Sequence, residues 1–227
     1  MKMKRSEKLG MFTGLVVGVL LLLISVFMIF QTTCKVWGAE KPANATQQGI
    51  DVSSHQGKID WEQVKNSALA DYAIIRCGYG VNQTDKDDKY WDYNSSECER
   101  LGIPYGTYLY SGADTTAKAK SEAEHVVRLL QGKNLTYPIY YDMEADMLNQ
   151  LSSTQIGNIA KTFLNTMESY GYKNVAVYSN KYLFETKLTA SVFSDYPKWI
   201  AQHSNKCTYR GSYHMWQYST QGVIPGI

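Results

Sequence analysis

Excess positive charge is absent from most of this chain. The net charge is +2, but residues 1–39 hold five Lys/Arg against one acid, which leaves 18 basic and 20 acidic residues downstream. The larger part therefore stands at about −2, has no Lys/Arg stripe, and gives no electrostatic reason to expect nucleic-acid binding. Metal and phosphate signatures are missing as well. The four His residues, His55, His125, His203 and His214, show no HExxH or other zinc spacing. Asp85, Asp87 and Asp88 lack the glycine and glutamate that a calcium loop needs at fixed offsets, so they read as a solvated loop. There is no G-x-S-x-G and no phosphate loop, and Gly78-Tyr79-Gly80 lacks the third glycine of a dinucleotide site. No metal and no cofactor is implied.

Cysteine is scarce, with four residues, and long apolar runs are scarcer, with one. That run, residues 11–30, is long enough to cross a bilayer as a helix and follows Lys2, Lys4, Arg5 and Lys8. Those charges stay on the cytoplasmic side, so whatever follows Gln31 faces outward. A secretory apolar core is usually shorter, which favours an uncleaved anchor over a cleaved leader; secretion is the alternative. The expected organisation is a cytoplasmic basic segment over 1–10, an anchor over 11–31, a polar tether over 32–47 and one catalytic-sized domain over 48–227. In an exported domain, Cys77, Cys98 and Cys207 raise the question of disulfides. The preferred bridge is Cys77 to Cys98, tying a strand end to the next helix and stabilising by about 3 kcal/mol.

Beyond the tether, short apolar runs alternate with helix-length segments. Strands are expected at Gly49–Ser53, Tyr72–Cys77, Tyr105–Tyr110, Ile139–Asp142, Val175–Tyr178, Lys198–Ala201 and Met215–Tyr218. Amphipathic helices are clearest at Ser152–Tyr170, opened by a Ser152/Gln155 capping box and stopped by Gly171, and at Thr115–Leu130, ending at Gly132. Such alternation predicts an α/β fold with a parallel sheet. Closure as an irregular (β/α) barrel of TIM-like type brings the strand ends to one face, and the short spacings after Leu188 leave helices missing between the last strands.

In a parallel barrel the chemistry sits where strands end. The first strand ends in Asp51-Val52-Ser53-Ser54-His55, the second in Arg76-Cys77-Gly78-Tyr79-Gly80, and the fourth in Tyr140-Tyr141-Asp142-Met143-Glu144. Asp142 and Glu144 lie two apart on an extended run, so they share a face with origins roughly 6.6 Å apart. Glycoside cleavage needs paired carboxyls: one protonated by virtue of its surroundings to release the leaving oxygen, one ionised to support a cationic transition state. A D-x-E end taken alone can equally be a solvated strand terminus.

The combination is more specific. Asp51-Val52-Ser53-Ser54-His55-Gln56-Gly57 with Ile59-Asp60-Trp61, Arg76-Cys77-Gly78-Tyr79-Gly80, Gly102-Ile103-Pro104-Tyr105-Gly106-Thr107-Tyr108, Tyr141-Asp142-Met143-Glu144, Val177-Tyr178-Ser179-Asn180, Trp199-Ile200-Ala201-Gln202 and Met215-Trp216-Gln217-Tyr218 occur in one order across Gly49 to Ile227. In this the chain resembles the lysozymes of glycoside hydrolase family 25. The resemblance implies an N-acetylmuramidase acting on the β-1,4 bond from N-acetylmuramic acid to N-acetylglucosamine in bacterial peptidoglycan. It implies Glu144 as acid/base, Asp142 as orienter of the substrate's own acetamido group, and Asp51 as a third acid that tunes Glu144 and holds sugar or water. Carboxyl spacing along the strand does not by itself separate retention from inversion. Tyr79, Tyr110, Tyr178, Trp199 and Gln217, at or beside strand ends, are candidates for the sugar-binding walls.

Family members usually run past the Trp-Gln-Tyr segment into a final strand with another acid, whereas this chain stops at Ile227, so one wall of the cleft is expected to be missing. Two other readings stay open: a wall-binding module without turnover, and a chitinase-type N-acetylhexosaminidase. A monomer is expected, with peptidoglycan and the membrane as its partners.

Overall fold

The structure is a computed structural model and describes residues 44–227. The basic segment, the anchor expected over 11–31 and most of the tether lie outside the described residues. Among the described residues, no helix is long and apolar enough to cross a membrane.

Seven strands form one sheet in sequence order: β1 (Gly49–Val52), β2 (Tyr72–Tyr79), β3 (Tyr105–Tyr110), β4 (Ile139–Asp142), β5 (Val175–Asn180), β6 (Lys198–Ala201) and β7 (Met215–Gln217). Every neighbouring pair is parallel. Parallel neighbours need a crossover, and helices supply most of them: α1 (Trp61–Ser67), α2 (Trp91–Leu101), α3 (Thr116–Leu129), α4 (Ser153–Ser169), α5 (Lys181–Thr186) and α6 (Val192–Asp195). No helix joins β6 to β7, as the short spacing there predicts. Caps explain where helices begin. Ser152 and Gln155 form the expected capping box on α4, and Asp60, Thr115 and Asn180 cap α1, α3 and α5 with side-chain oxygens.

The alternation of side chains divides the core in two. Outward-facing strand residues such as Val52, Ile75, Leu109, Tyr141, Val177 and Ile200 pack with Trp61, Trp91, Val126, Ile156 and Phe163 of the helices. Inward-facing Ile74, Tyr140, Ala176, Tyr178, Trp199 and Ala201 make a second cluster inside the curl. Strand β4 is buried throughout, which is what a strand covered on both faces requires.

The expected closed barrel is only partly realised. Among the described residues β1 and β7 are not paired as strands, so the sheet is a curled half-barrel. Its two edges are nevertheless joined by side chains: Gln217 Nε2 donates to Asp51 Oδ1 at 3.0 Å, and Gln48 Nε2 to the Tyr218 hydroxyl at 2.8 Å.

The bridge expected between Cys77 and Cys98 is not formed. Both are free, buried thiols in the helix-facing core. Cys77 Sγ donates instead to Tyr108 O at 3.3 Å. Burial pushes its thiol up to about 12, and burial also raises Cys98, so both behave as small apolar side chains rather than thiolates.

Gly106 marks the tightest approach in the sheet. A Cβ there would lie 2.5 Å from Pro138 O and 2.8 Å from Tyr137 Cβ, both on the segment entering β4. Gly106→Ala is expected to lower stability by about 1–3 kcal/mol, as overpacking does; equilibrium urea unfolding measures this, and an unchanged midpoint would contradict the packing described.

Candidate active site

One register row crosses six strands. Tyr79 pairs with Tyr110, Tyr110 with Asp142, Asp142 with Tyr178, Tyr178 with Trp199, and Trp199 with Met215. Paired residues share a face, so four of the expected wall residues and Asp142 form a single band that lies at the C-terminal ends of β2, β3 and β4 and lower on β6 and β7. A bulge makes this possible at β2, where the register slips between Arg76 and Gly78. A Cβ on Gly78 would lie 2.9 Å from the His125 ring, so the bulge is accommodated on the helix side by a residue with no side chain.

Asp51 belongs to a lower row, paired with Ile74 and through it with Gly106. The curl nevertheless brings it to Gln217, whose row lies at the top of the sheet. This offset is the stagger that tilted strands impose on a barrel. Gln217 is a hub: its Oε1 accepts from the Tyr178 hydroxyl at 2.9 Å and lies 2.9 Å from His203 Nε2, while its amide nitrogen holds Asp51.

Three carboxyls therefore act on one another here, Asp142 buried and Asp51 and Glu144 half-buried. Asp142 is 3% exposed, and its Oδ1 is buried without a hydrogen-bond partner. Burial pushes the Asp142 carboxyl well up from its ordinary 3.8, the negative charges of Glu144 and Asp51 add to this, and the Arg76 guanidinium opposes it. Burial also raises Glu144, helped by Asp51 and opposed by His203. For Asp51, burial outweighs the hydrogen bond from Gln217. Carboxyls that shift one another titrate as a cluster rather than singly.

Arg76 is an inward-facing cation beside the cluster, yet it is anchored elsewhere. Its Nε donates to Asp88 Oδ2 at 2.8 Å and its NH2 to Ser54 Oγ at 2.9 Å. Asp88 also receives the amides of Ser54 and Tyr90, both at 2.9 Å.

The wall candidates fall into two kinds. Tyr79, at 40% exposure, and Tyr110, half-buried, border the open side; Lys86 Nζ stands 5.0 Å from the Tyr79 ring centroid. Trp199 is 4% exposed and wedged among tyrosines, with ring centroids 4.4 Å from Tyr178 and 5.0 Å from Tyr140, so it forms the floor. Three residues were not singled out from sequence. Arg76 and Tyr108 could have been found by continuing the two-residue alternation from Ile74 and toward Tyr110. His203 sits in a helix-free connection that carries no periodic signal.

A curled parallel sheet with clustered acids of raised proton affinity at its strand ends defines the class: a β/α-type glycosidase. Residues 50–227 match the model of "Glycosyl hydrolases family 25", and the chain belongs to that family. Among relatives, the uncharacterized protein YegX of Escherichia coli K12 is 26% identical over 192 residues, 82% of this chain and 68% of that protein. The autolytic lysozyme of Clostridium acetobutylicum is 29% identical over 181 residues, 79% of this chain and 52% of that one. The solved autolysin LytC of Streptococcus pneumoniae superposes with a TM-score of 0.73 at 32% identity, over 82% of this chain and 46% of that one. The chain thus spans about half the length of the last two.

The raised Asp142 carboxyl has a consequence for stability. A carboxyl whose folded value exceeds its unfolded one favours the folded state fully at pH below the ordinary 3.8, and that advantage is lost as pH climbs toward the folded value. Asp142→Asn is therefore expected to be more stable than wild type at neutral pH, by on the order of 1–2 kcal/mol. The difference should shrink on acidification toward pH ~4. Thermal unfolding across that range tests it; a variant less stable at pH ~7 than at pH ~4, relative to wild type, would refute the sign.

Proposed function

We propose that this domain is an N-acetylmuramidase of the cell exterior, cleaving the β-1,4 bond between N-acetylmuramic acid and N-acetylglucosamine in peptidoglycan, with residues 11–31 as its membrane anchor. The observation that carries the reading is the buried, unpartnered Oδ1 of Asp142 at the end of β4, two residues before Glu144, whose charge acts on it. An acceptor in that state lacks a donor, and the acetamido N–H of a bound sugar is a donor of the right kind. The pneumococcal autolysin named above has also been solved in complex with a synthetic peptidoglycan ligand.

In this mechanism Glu144, whose proton affinity burial raises, gives its proton to the glycosidic oxygen as the C1–O bond breaks. Asp142 accepts from the acetamido N–H and turns the acetamido oxygen toward C1, where it bonds and forms a cyclic oxazolinium. The N-acetylglucosamine leaving group departs with the proton. Glu144, now ionised, takes a proton from water as the water oxygen bonds to C1 and the ring opens, which restores Glu144 and retains the anomeric configuration. Asp51, held by Gln217, adds negative charge that favours the protonated form of Glu144.

Wild type incubated with peptidoglycan and reduced with borohydride is expected to yield muramitol ends by mass spectrometry, and Glu144→Gln to lower turnover by about 10²–10⁴-fold. Activity should decline as pH rises through the elevated Glu144 value, because the ionised form cannot protonate the leaving oxygen. Glucosaminitol ends would replace this reading with an N-acetylglucosaminidase, and turnover undiminished in Glu144→Gln would remove Glu144 from the acid role.

A further inference from the structure

Helix α3 places two fully buried ionisable side chains, Glu122 and His125, against the sheet, three residues apart and outside the cleft. Fully buried glutamates are rare because removing a carboxylate from water is costly unless donors surround it. At Glu122 they do. Its Oε1 accepts from the Gly112 amide at 2.8 Å. Its Oε2, the Ser111 hydroxyl and the Tyr141 hydroxyl form a triangle with separations of 2.9, 2.6 and 2.9 Å.

What these donors are attached to is the informative part. Tyr141 immediately precedes Asp142 on β4. Ser111 immediately follows Tyr110, and its amide donates to Asp142 O at 2.9 Å. Two of the three groups that Glu122 holds, on Ser111 and Tyr141, are thus one residue away from the row that carries Asp142, and the third, the Gly112 amide, follows Ser111. His125 repeats the device on the neighbouring loop. Its Nδ1 lies 3.0 Å from Gly80 O, just past Tyr79, and its Nε2 lies 2.7 Å from Asp87 Oδ1. Arg128 grips both Asp87 oxygens, at 3.0 and 2.6 Å.

We propose that Glu122 is a positioning residue for the cleavage reaction, fixing the ends of β3 and β4 from the helix side and thereby the placement of Asp142. The proposal rests on the muramidase reading for its kinetic test, but the geometry it describes can be followed without turnover. A packing role alone would be served by an apolar side chain in the same volume. A carboxylate instead sets the direction of three donors, two of them on the residues that flank Tyr110 and Asp142. Misplacement of an orienting group by about 1 Å is enough to lower turnover about 10²-fold.

The experiment compares wild type, Glu122→Gln and Lys120→Ala, all as full chains. Lys120 lies on the exposed side of the same helix, paired with Glu124. Three quantities are read: thermal unfolding, kcat and KM on soluble peptidoglycan fragments, and the midpoint of the Asp142 carboxyl by ¹³C NMR titration. Glu122→Gln is expected to remain folded and hold KM within about twofold while losing about 10–10²-fold in kcat. Its Asp142 midpoint should fall toward the ordinary carboxylate value by more than about half a pH unit. Lys120→Ala should match wild type throughout. A folded Glu122→Gln with wild-type kcat and an unmoved Asp142 midpoint overturns the proposal. If Glu122→Gln fails to fold, Ser111→Ala and Tyr141→Phe each remove one donor and leave the carboxylate; the same selective loss in kcat supports the proposal, and none in either variant overturns it. Should wild type itself release no products, the muramidase reading fails, and the NMR midpoint alone decides whether Glu122 orients Asp142.

Discussion

A strand buried on both faces commits every second side chain to the helices and every other one to the interior, and the cleft depends on that division. On β4, Ile139, Tyr141 and Met143 belong to the helix-facing core while Tyr140 joins the interior cluster, which leaves Asp142 inward and buried at the strand's end. Asp142 is therefore placed by the packing of its neighbours. Tyr141 stacks on Phe163 of α4 at 3.9 Å, and its hydroxyl is tied to Glu122. Displacing this ring would turn the strand and with it Asp142, because a one-residue slip exchanges the two faces.

The same burial creates an electrostatic conflict. Three acids raised by burial sit on one side of the sheet, and the described residues supply two basic groups that act on them, Arg76 and His203. Neither neutralises Asp142 by direct pairing. Arg76 has its Nε on Asp88, and the amides of Ser54 and Tyr90 complete the coordination of that aspartate. His203 is directed at Gln217. A direct Arg76–Asp142 pair would hold the carboxylate ionised and saturate its oxygens. Anchoring the cation at the β1–β2 side leaves its field in place and the oxygen free, at a cost in stability of the kind functional sites commonly carry.

Much of this was legible from the chain because strands covered on both faces are continuous apolar runs closed by polar residues. The seven strands appear within a residue or two of their expected limits, and both long helices begin and end at the residues their caps specify. Errors arose where local pattern has no bearing on geometry. The bulge that carries β2 on to Tyr79 depends on contact with His125, far along the chain. The short helices α5 and α6 have too few turns to show a period. Cys77 and Cys98 were paired by proximity in sequence, which is silent about where each thiol points; Cys77 is directed at the backbone of β3. Asp51 was legible as a strand-end acid, but its contact with Gln217 arises from stagger around the curl, a property of the whole sheet.

The interior aromatics fill the curl below the strand ends. Trp199 is in contact range of Tyr108, Tyr140 and Tyr178, and Tyr140 in turn stacks on His214 and hydrogen-bonds it at 2.8 Å. Large rings locked edge to face fill the curl where alanine and glycine, at Ala176 and Gly106, leave room. This plug closes the curl in the plane of the row that holds Asp142. Tyr79 and Tyr110 border that plane from the β2–β3 side, where the loop from Asn82 to Asp87 is held by α3 through Ser121, His125 and Arg128. The rim facing the acids is thus attached to the same helix that fastens β4 from behind, and a displacement of α3 would move wall and acid together rather than apart.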